Sequence, residues 1–191
     1  MPVHEENDRP RIVVSRCLGF DACRYDGGIV ICPPVARLAE RAEVVTVCPE
    51  VGMGLGVPRD PLHLEEGPGG VRLVRTATGE NLTDRMVAFA GPFLDRLGYV
   101  DAFVLKERSP SCGVRGTIVH RTGWRAGGSR GAGLFARMVM ARFPALPVLS
   151  EMDLAEGDRS ADLLTAFGIV PGAWNVVRDG RGARWIPPKE R

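Results

Sequence analysis

The sequence lacks the features of a membrane, secreted or nucleic-acid-binding protein. No apolar run approaches the roughly 18–20 residues of a membrane-spanning helix. Residues 1–11 are polar and contain no apolar segment of the kind found in a signal peptide, so we expect a cytoplasmic protein. The formal net charge is only +2, and the basic residues form no blocks. Neither a nucleic acid nor a membrane is therefore an expected partner.

Residue types that often mark a site are scarce or scattered. The histidines, His4, His63 and His120, have no spacing typical of metal ligands. Only Lys106 and Lys189 among the 25 basic residues are lysines, which we attribute to coding bias in a GC-rich genome. Glycine and proline are abundant instead, with 24 and 15 residues, and they predict many turns and loops in which sites are commonly built.

The five cysteines include no C-x2-C pair, so the chain has neither the usual zinc-ribbon pattern nor the thioredoxin-like motif. In a cytoplasmic protein, five cysteines indicate metal binding or redox chemistry rather than structural disulfides.

Short β-branched runs alternate with helix-like segments between residues 11 and 152. This alternation predicts an α/β fold, a single three-layer domain with a largely parallel, Rossmann-like sheet. A polar arm, residues 1–10, precedes the domain. Residues 153–191 are a short C-terminal extension packed on or beside it, with a helix near 161–167 and a hairpin over 174–185. The predicted strands lie at 11–15, 43–47, 71–74, 102–105, 117–120 (an edge strand) and 146–149, the helices at 33–42, 83–97 and 134–143, and the loops at 52–70 and 123–133.

Three of the cysteines, Cys17, Cys48 and Cys112, each lie just beyond the C-terminal end of a predicted strand. The carboxyl ends of parallel strands share one edge of a sheet, and ligands bind there, so these thiols can converge. Iron–sulfur clusters normally take four thiolates; three would leave one iron open to a soft atom such as sulfur. Three unrelated buried thiols are the alternative. Cys23 and Cys32 follow no strand in this way; we interpret Cys23 as a packing or spare thiol near the site, and Cys32 as a small buried hydrophobe.

Three motifs resemble a known family. They are VSRC with CRYDG (residues 14–17 and 23–27), VCPEVGMGLGVPR (47–59) and LKERSPSCG (105–113). Their order and spacing over residues 11–152 are similar to those of the TudS-like thiouracil desulfurases, the DUF523 family. The resemblance implies a [4Fe-4S] cluster held by three cysteines, here Cys17, Cys48 and Cys112. The open iron would bind the sulfur of a thiolated nucleobase such as 2-thiouracil, and water would replace that sulfur.

The same resemblance implies roles for polar residues near the cysteines. Glu50 and Ser109 would be the acid/base residues. Apart from the resemblance, Ser111, Arg59 and Lys106 are candidate contacts to the substrate: Arg59 can bind an anion or the carbonyl edge of the base, and Lys106 lies at a strand end near the predicted site. Each also has a structural interpretation. Glu50 can favour a helix N-terminus, the serines flanking Pro110 can form a turn, Arg59 can make a surface ion pair, and Lys106 can be structural.

Two other functions remain open at this point. One is a thiol redox protein in which Cys17 cycles with Cys23 or Cys48. The other is a non-catalytic sensor or binding module whose cluster reports oxygen or iron. The expected partner is a small thiolated pyrimidine, and an oligomer is possible.

Overall fold

The described chain alternates strands and helices, as the sequence predicts. The computed structural model describes residues 9–122, 125–156, 175–179 and 182–186. In chain order the elements are β1 Arg11–Ser15, α1 Pro33–Ala39, β2 Glu43–Val47, α2 Pro49–Gly52, β3 Leu62–Gly67, β4 Gly70–Arg75, α3 Thr83–Arg96, β5 Ala102–Leu105, β6 Thr117–Arg121, β7 Arg125–Gly131, α4 Leu134–Arg142, β8 Val148–Ser150, α5 Asp153–Glu156, β9 Asn175–Asp179 and β10 Gly182–Ile186.

The main sheet is parallel throughout, with the strand order β2-β1-β5-β8. Its inner strand β1 contributes Ile12, Val13 and Val14, which are all fully buried. A continuous apolar run is what a parallel strand needs when both faces of its sheet are covered. The predicted largely parallel, Rossmann-like sheet is therefore confirmed.

Two hydrophobic cores cover the two faces of this sheet. Ile12 and Val14 pack with side chains of α1 and α5, whereas Val13 packs with side chains of α3 and α4. Alternate residues of β1 thus pack on opposite faces of the sheet, because successive side chains of a strand point in opposite directions. The result is the three-layer arrangement that the sequence predicts.

A second sheet was not predicted from the sequence. Its order is β4-β3-β6-β7, with β3 and β6 parallel and the outer pairs antiparallel. Two of its strands, β3 and β7, lie in segments predicted as loops. The prediction of residues 117–120 as an edge strand was wrong, because β6 lies between β3 and β7. This sheet covers α3 and α4 and contributes Leu64, Leu73 and Val119 to the larger core.

Tertiary pairing, not local sequence, makes β7 a strand. Its sequence RAGGSRG has little apolar character, and strand propensity disfavours glycine. Pairing with β6 supplies its hydrogen-bond partners, for example Ser129 opposite Val119. Gly128 is required at its position, because a Cβ atom there would lie 2.2 Å from the carbonyl oxygen of Val119.

The C-terminal extension begins inside the folded domain. Asp153 accepts hydrogen bonds at Oδ2 from the backbone N (2.7 Å) and the hydroxyl (2.9 Å) of Ser150, and Leu154 is buried in the core beside α1. Strands β9 and β10 pair antiparallel, as expected for the predicted hairpin. The helix predicted near 161–167 lies outside the described residues. Within the described ranges, no helix is both long enough and apolar enough to cross a membrane.

Replacing Phe103 by alanine is expected to lower the free energy of unfolding by about 3–5 kcal/mol, because its buried ring on β5 leaves a cavity that its neighbours only partly fill. Urea unfolding of the iron-free protein measures the change. Val87→Ala is the control, since Val87 is 48% exposed on α3 and should change stability by no more than about 0.5 kcal/mol. Equal effects of the two substitutions would contradict the position of β5 in the core.

Candidate functional site

A cavity of about 330 Å³ opens at the carboxyl edge of the main sheet. The cavity is lined by residues at or just beyond the end of each strand of the main sheet: Ser15 from β1, Val47 from β2, Lys106 after β5 and Glu151 after β8. Strand register explains this meeting point, since Ser15 pairs with Val47 and Leu105 pairs with Ser150. The cavity is therefore where an open parallel sheet is expected to bind a ligand.

Four cysteines line this cavity: Cys17, Cys23, Cys48 and Cys112. Cys48 Sγ donates to the carbonyl oxygen of Cys23 at 3.7 Å, and the neighbouring thiols of Cys17 and Cys48 lower the pKa of Cys23. Cys17 in turn interacts electrostatically with Cys48 and Cys112. The structure thus brings the three predicted thiols to one place and adds Cys23. Cys32 lies elsewhere, in the core beneath α1.

Three of these thiols, Cys17, Cys48 and Cys112, are held in surroundings that favour the neutral form. Burial raises the pKa of Cys48 and Cys112, and a hydrogen bond with Cys23, reinforced by burial, raises the pKa of Cys17. Only Cys23 has a lowered pKa, because its thiolate accepts a hydrogen bond from Cys17. Metal ligation requires thiolates. A metal bound here would therefore displace protons and compensate the buried negative charge.

The donor set suits a cluster better than a single ion. Among the residues that the structure describes, no three His, Cys, Asp or Glu side chains are placed to hold one metal ion. The four thiols nevertheless share one cavity. A four-iron cluster takes its cysteines at separate irons, so its ligands need not converge on a single point.

Glu50 lies in the first turn of the short helix α2, as its structural interpretation at a helix N-terminus predicts. Helix α2 starts at Pro49, directly after Cys48, where proline is well tolerated. The Glu50 carboxylate accepts hydrogen bonds from Arg59 Nε at 2.7 Å and from the Ser111 hydroxyl at 2.8 Å. Both oxygens are thus engaged by side chains from other segments. The chain holds this carboxylate in a fixed orientation on the cavity wall.

Arg59 makes a buried ion pair, not a surface one. Its side chain is only 5% exposed and that of Glu50 only 11%. Besides Glu50, the guanidinium donates to the carbonyl oxygens of Gly56 (3.1 Å) and Cys23 (3.0 Å). A planar fork with several donors suits this role, which a lysine would not fill. One side chain thus joins the acid, its own loop and the loop that carries Cys23.

The turn before Cys112 is organised by Ser109. Its Oγ accepts the backbone N–H of Ser111 at 3.2 Å and of Cys112 at 3.0 Å, and its hydroxyl also bonds the Cys112 thiol. The turn-forming interpretation is therefore correct for Ser109, which also lines the cavity. Ser111 is fully buried and lies behind Glu50.

Two polar residues of the site were missed from the sequence. Ser15 accepts the backbone N–H of Lys106 at 2.9 Å and bonds the Cys112 thiol. Glu151 is 2% exposed; it accepts a hydrogen bond from Lys106 Nζ and another from the backbone N of Glu107 at 2.7 Å. Both residues lie at strand ends. The argument that brought the cysteines together, that the carboxyl ends of parallel strands share one edge, would therefore also have found them.

Fold and site together define an α/β protein that gathers thiols and a buried carboxylate at the carboxyl edge of a parallel sheet. Residues 12–151 match the 2-thiouracil desulfurase family, and the chain belongs to that family. The resemblance seen in the sequence motifs is thereby confirmed.

The chain is also similar to individual proteins. The chain is 35% identical over 109 residues to the uncharacterized protein YbbK of Bacillus subtilis (strain 168), a match that covers 53% of this chain and 72% of YbbK. It is also similar to a solved structure of TudS, described as a [4Fe-4S]-dependent thiouracil desulfidase. That match has a TM-score of 0.56 and 28% identity, and it covers 76% of this chain and 93% of TudS.

Arg59→Met is expected to lower the free energy of unfolding by about 3–5 kcal/mol, because it leaves the Glu50 carboxylate buried without its cation. Adding Glu50→Gln to this variant should recover part of the loss, since the unpaired charge is then removed. Urea unfolding measures both changes. Arg142→Met is the control; its pair with Asp95 has side chains 58% and 69% exposed, so a change below about 1 kcal/mol is expected. If the double variant loses as much stability as Arg59→Met and Glu50→Gln lose separately when added together, the two residues are not a coupled pair.

Proposed function

We propose that this protein is an iron–sulfur-dependent desulfurase that replaces the sulfur of a thiolated nucleobase, such as 2-thiouracil, by oxygen from water. The observation that carries this proposal is the meeting of Cys17, Cys48 and Cys112 with Glu50 on the wall of one cavity. The cavity volume of about 330 Å³ falls at the lower end of the range for small-molecule sites, as a single pyrimidine ring requires. The solved TudS structure, named for thiouracil and a [4Fe-4S] cluster, supports the same function.

We assign Cys17, Cys48 and Cys112 as the three cysteine ligands of a [4Fe-4S] cluster. When bound, such a cluster has one iron without a ligand from these three, and that iron supplies a Lewis acid for the substrate sulfur. Cys32 is assigned no such role, because it packs in the core and burial raises its pKa to about 12.

Glu50 is the proposed general base. Arg59 and Ser111 each occupy one acceptor position on the carboxylate, and a carboxylate has about four such positions. The remaining capacity holds a water molecule in the cavity that Glu50 lines. Glu50 takes the proton of this water as its oxygen bonds to the thiocarbonyl carbon. The products are a carbonyl compound and hydrogen sulfide.

Ser109 is the proposed proton donor to the departing sulfur. Two backbone N–H groups point at its Oγ and orient the hydroxyl. Ser109 passes its proton to the sulfur and takes one from the hydroxyl group newly bound to the carbon, and the second proton of hydrogen sulfide comes from Glu50. Lys106 is the proposed contact to the nucleobase of the substrate. One donor of its ammonium group binds Glu151 and one binds the carbonyl oxygen of Glu107 (3.1 Å), which leaves the third for a substrate oxygen.

Arg59 and Ser111 act on the substrate through Glu50 in this proposal. Arg59 lines the cavity, but its Nε, Nη1 and Nη2 atoms all donate to the protein. Direct substrate contacts of these two residues stay predictions from the sequence. The substrate is a small thiolated pyrimidine, and we place the protein in the cytoplasm, where free thiols remain reduced.

A thiol redox protein is the second candidate, favoured by the position of Cys17 and Cys23 on the wall of one cavity. Catalytic sulfide release from 2-thiouracil separates the two functions, because a thiol exchanger releases no sulfide over repeated turnovers.

Cys48→Ala is expected to abolish cluster assembly, because Cys48 is one of the three assigned ligands. The measurement is iron and acid-labile sulfide per chain after anaerobic reconstitution, with about four of each expected for the native protein. Cys32→Ala is the control and should retain both. Iron retained by Cys48→Ala would remove Cys48 as a ligand, and near-zero iron in the native protein would overturn the proposed function.

Glu50→Gln is expected to retain the cluster and to slow sulfide release from 2-thiouracil by about 10²–10⁴-fold, the usual contribution of a general base. Glutamine keeps the shape of the side chain and an acceptor for Ser111, so iron content should not change. Glu43→Gln is the control, since Glu43 lies half exposed on β2. Full activity of Glu50→Gln would exclude Glu50 as the base.

A further inference from the structure

We propose that the buried pair of Lys106 and Glu151 selects thiopyrimidines whose ring also carries a carbonyl group, as in 2-thiouracil, over those with an amino group in its place, as in 2-thiocytosine. This inference rests on the proposed function and deepens it, because it names the class of substrate that the cavity accepts. Lys106 is the selecting residue, and Glu151 positions it.

The first argument is the place of the pair in the sheet. In the strand order β2-β1-β5-β8, Glu50 follows β2, whereas Lys106 follows β5 and Glu151 follows β8. All three residues line the cavity. Neighbouring strands lie about 4.8 Å apart, so the ends of β2 and β5 are separated by about 10 Å. A pyrimidine whose thiocarbonyl carbon lies near Glu50 therefore has the far side of its ring toward Lys106.

The second argument is how firmly the chain holds the ammonium group. Lys106 Nζ donates to the Glu151 carboxylate and, at 3.1 Å, to the carbonyl oxygen of Glu107. The carboxylate also accepts the backbone N of Glu107 at 2.7 Å, and the backbone N of Lys106 donates to Ser15 Oγ at 2.9 Å. The Glu151 side chain is only 3% exposed, so Lys106 cannot move away without leaving a buried charge unpaired.

The third argument is the chemistry of the donor. An ammonium group donates three hydrogen bonds and accepts none. Two of these bonds go to Glu151 and Glu107, and the third is the one offered to the substrate. A ring carbonyl oxygen accepts it. An amino group at the same ring position is itself a donor, so it would face the ammonium group donor to donor. Sites built to bind a polar group of the substrate reject such analogues strongly.

The test compares sulfide release from 2-thiouracil and 2-thiocytosine by the anaerobically reconstituted full-length protein. Both rings carry sulfur at position 2, and they differ in the oxygen or amino group at position 4. We expect kcat/KM to be at least about 100-fold higher for 2-thiouracil. Lys106→Met should lower kcat/KM for 2-thiouracil but not for 2-thiocytosine, so that the preference falls about tenfold or more. Lys106→Arg, which still only donates, and Arg142→Met, the exposed control, should keep the preference.

Binding of uracil, the product of the proposed reaction, gives a readout that does not depend on turnover. Calorimetry should show uracil binding to Lys106→Met about 10–100-fold more weakly than to the native protein, which is the usual loss for a hydrogen bond to a charged donor. Should Lys106→Met not fold because Glu151 is left unpaired, the double variant with Glu151→Gln removes both charges and takes its place.

Equal kcat/KM values for the two thiopyrimidines in the native protein would overturn the selection by Lys106 while the proposed function stands. A full preference for 2-thiouracil in Lys106→Met would do the same. If the native protein releases sulfide from neither compound, the proposed function fails, and uracil binding still decides the role of Lys106. Equal affinities of Lys106→Met and the native protein for uracil would then overturn it.

Discussion

Everything at the site depends on the parallel register of the main sheet. Ser15, Val47, Leu105 and Ser150 end their strands side by side, so the segments that follow them start from one edge. Parallel pairing is stable here because β1 is covered on both faces by apolar cores. A different register would separate the cysteines that these segments carry. The packing of β1 is thus a condition for the chemistry as well as for the fold.

The second constraint is charge compensation. The cavity wall holds buried carboxylates at Glu50 and Glu151, and each has a nearby cation, Arg59 or Lys106. Burying a charge without a partner is costly, so these pairs fix the geometry of the wall. Burial raises the pKa of Cys48 and Cys112, so the positive charge of the proposed cluster would stabilise their thiolates.

The second sheet gives the larger core its outer layer. Leu64, Leu73 and Val119 from that sheet close over α3 and α4. Sequence reasoning missed β3 because its segment is flanked by glycine and proline, and because two of its residues, His63 and Glu65, are polar yet buried. Their burial depends on partners on neighbouring strands: Arg72 of β4 bonds Glu65 at 2.5 Å, and the ring of His120 of β6 lies 5.7 Å from that of His63. No local pattern reveals such partners.

The sequence by itself determined the parallel strands and the helices between them, because periodicity and β-branched runs act locally. It also located Cys17, Cys48 and Cys112 at strand ends, because strand order in a parallel sheet brings such ends to one edge. Only the tertiary structure decided which groups Cys23, Ser15 and Ser111 contact. Their roles come from contacts between separate loops and strand ends, and the physical reason is that side-chain hydrogen bonds across 61 or 91 residues, such as Ser111 to Glu50 and Lys106 to Ser15, leave no periodic signal in the chain.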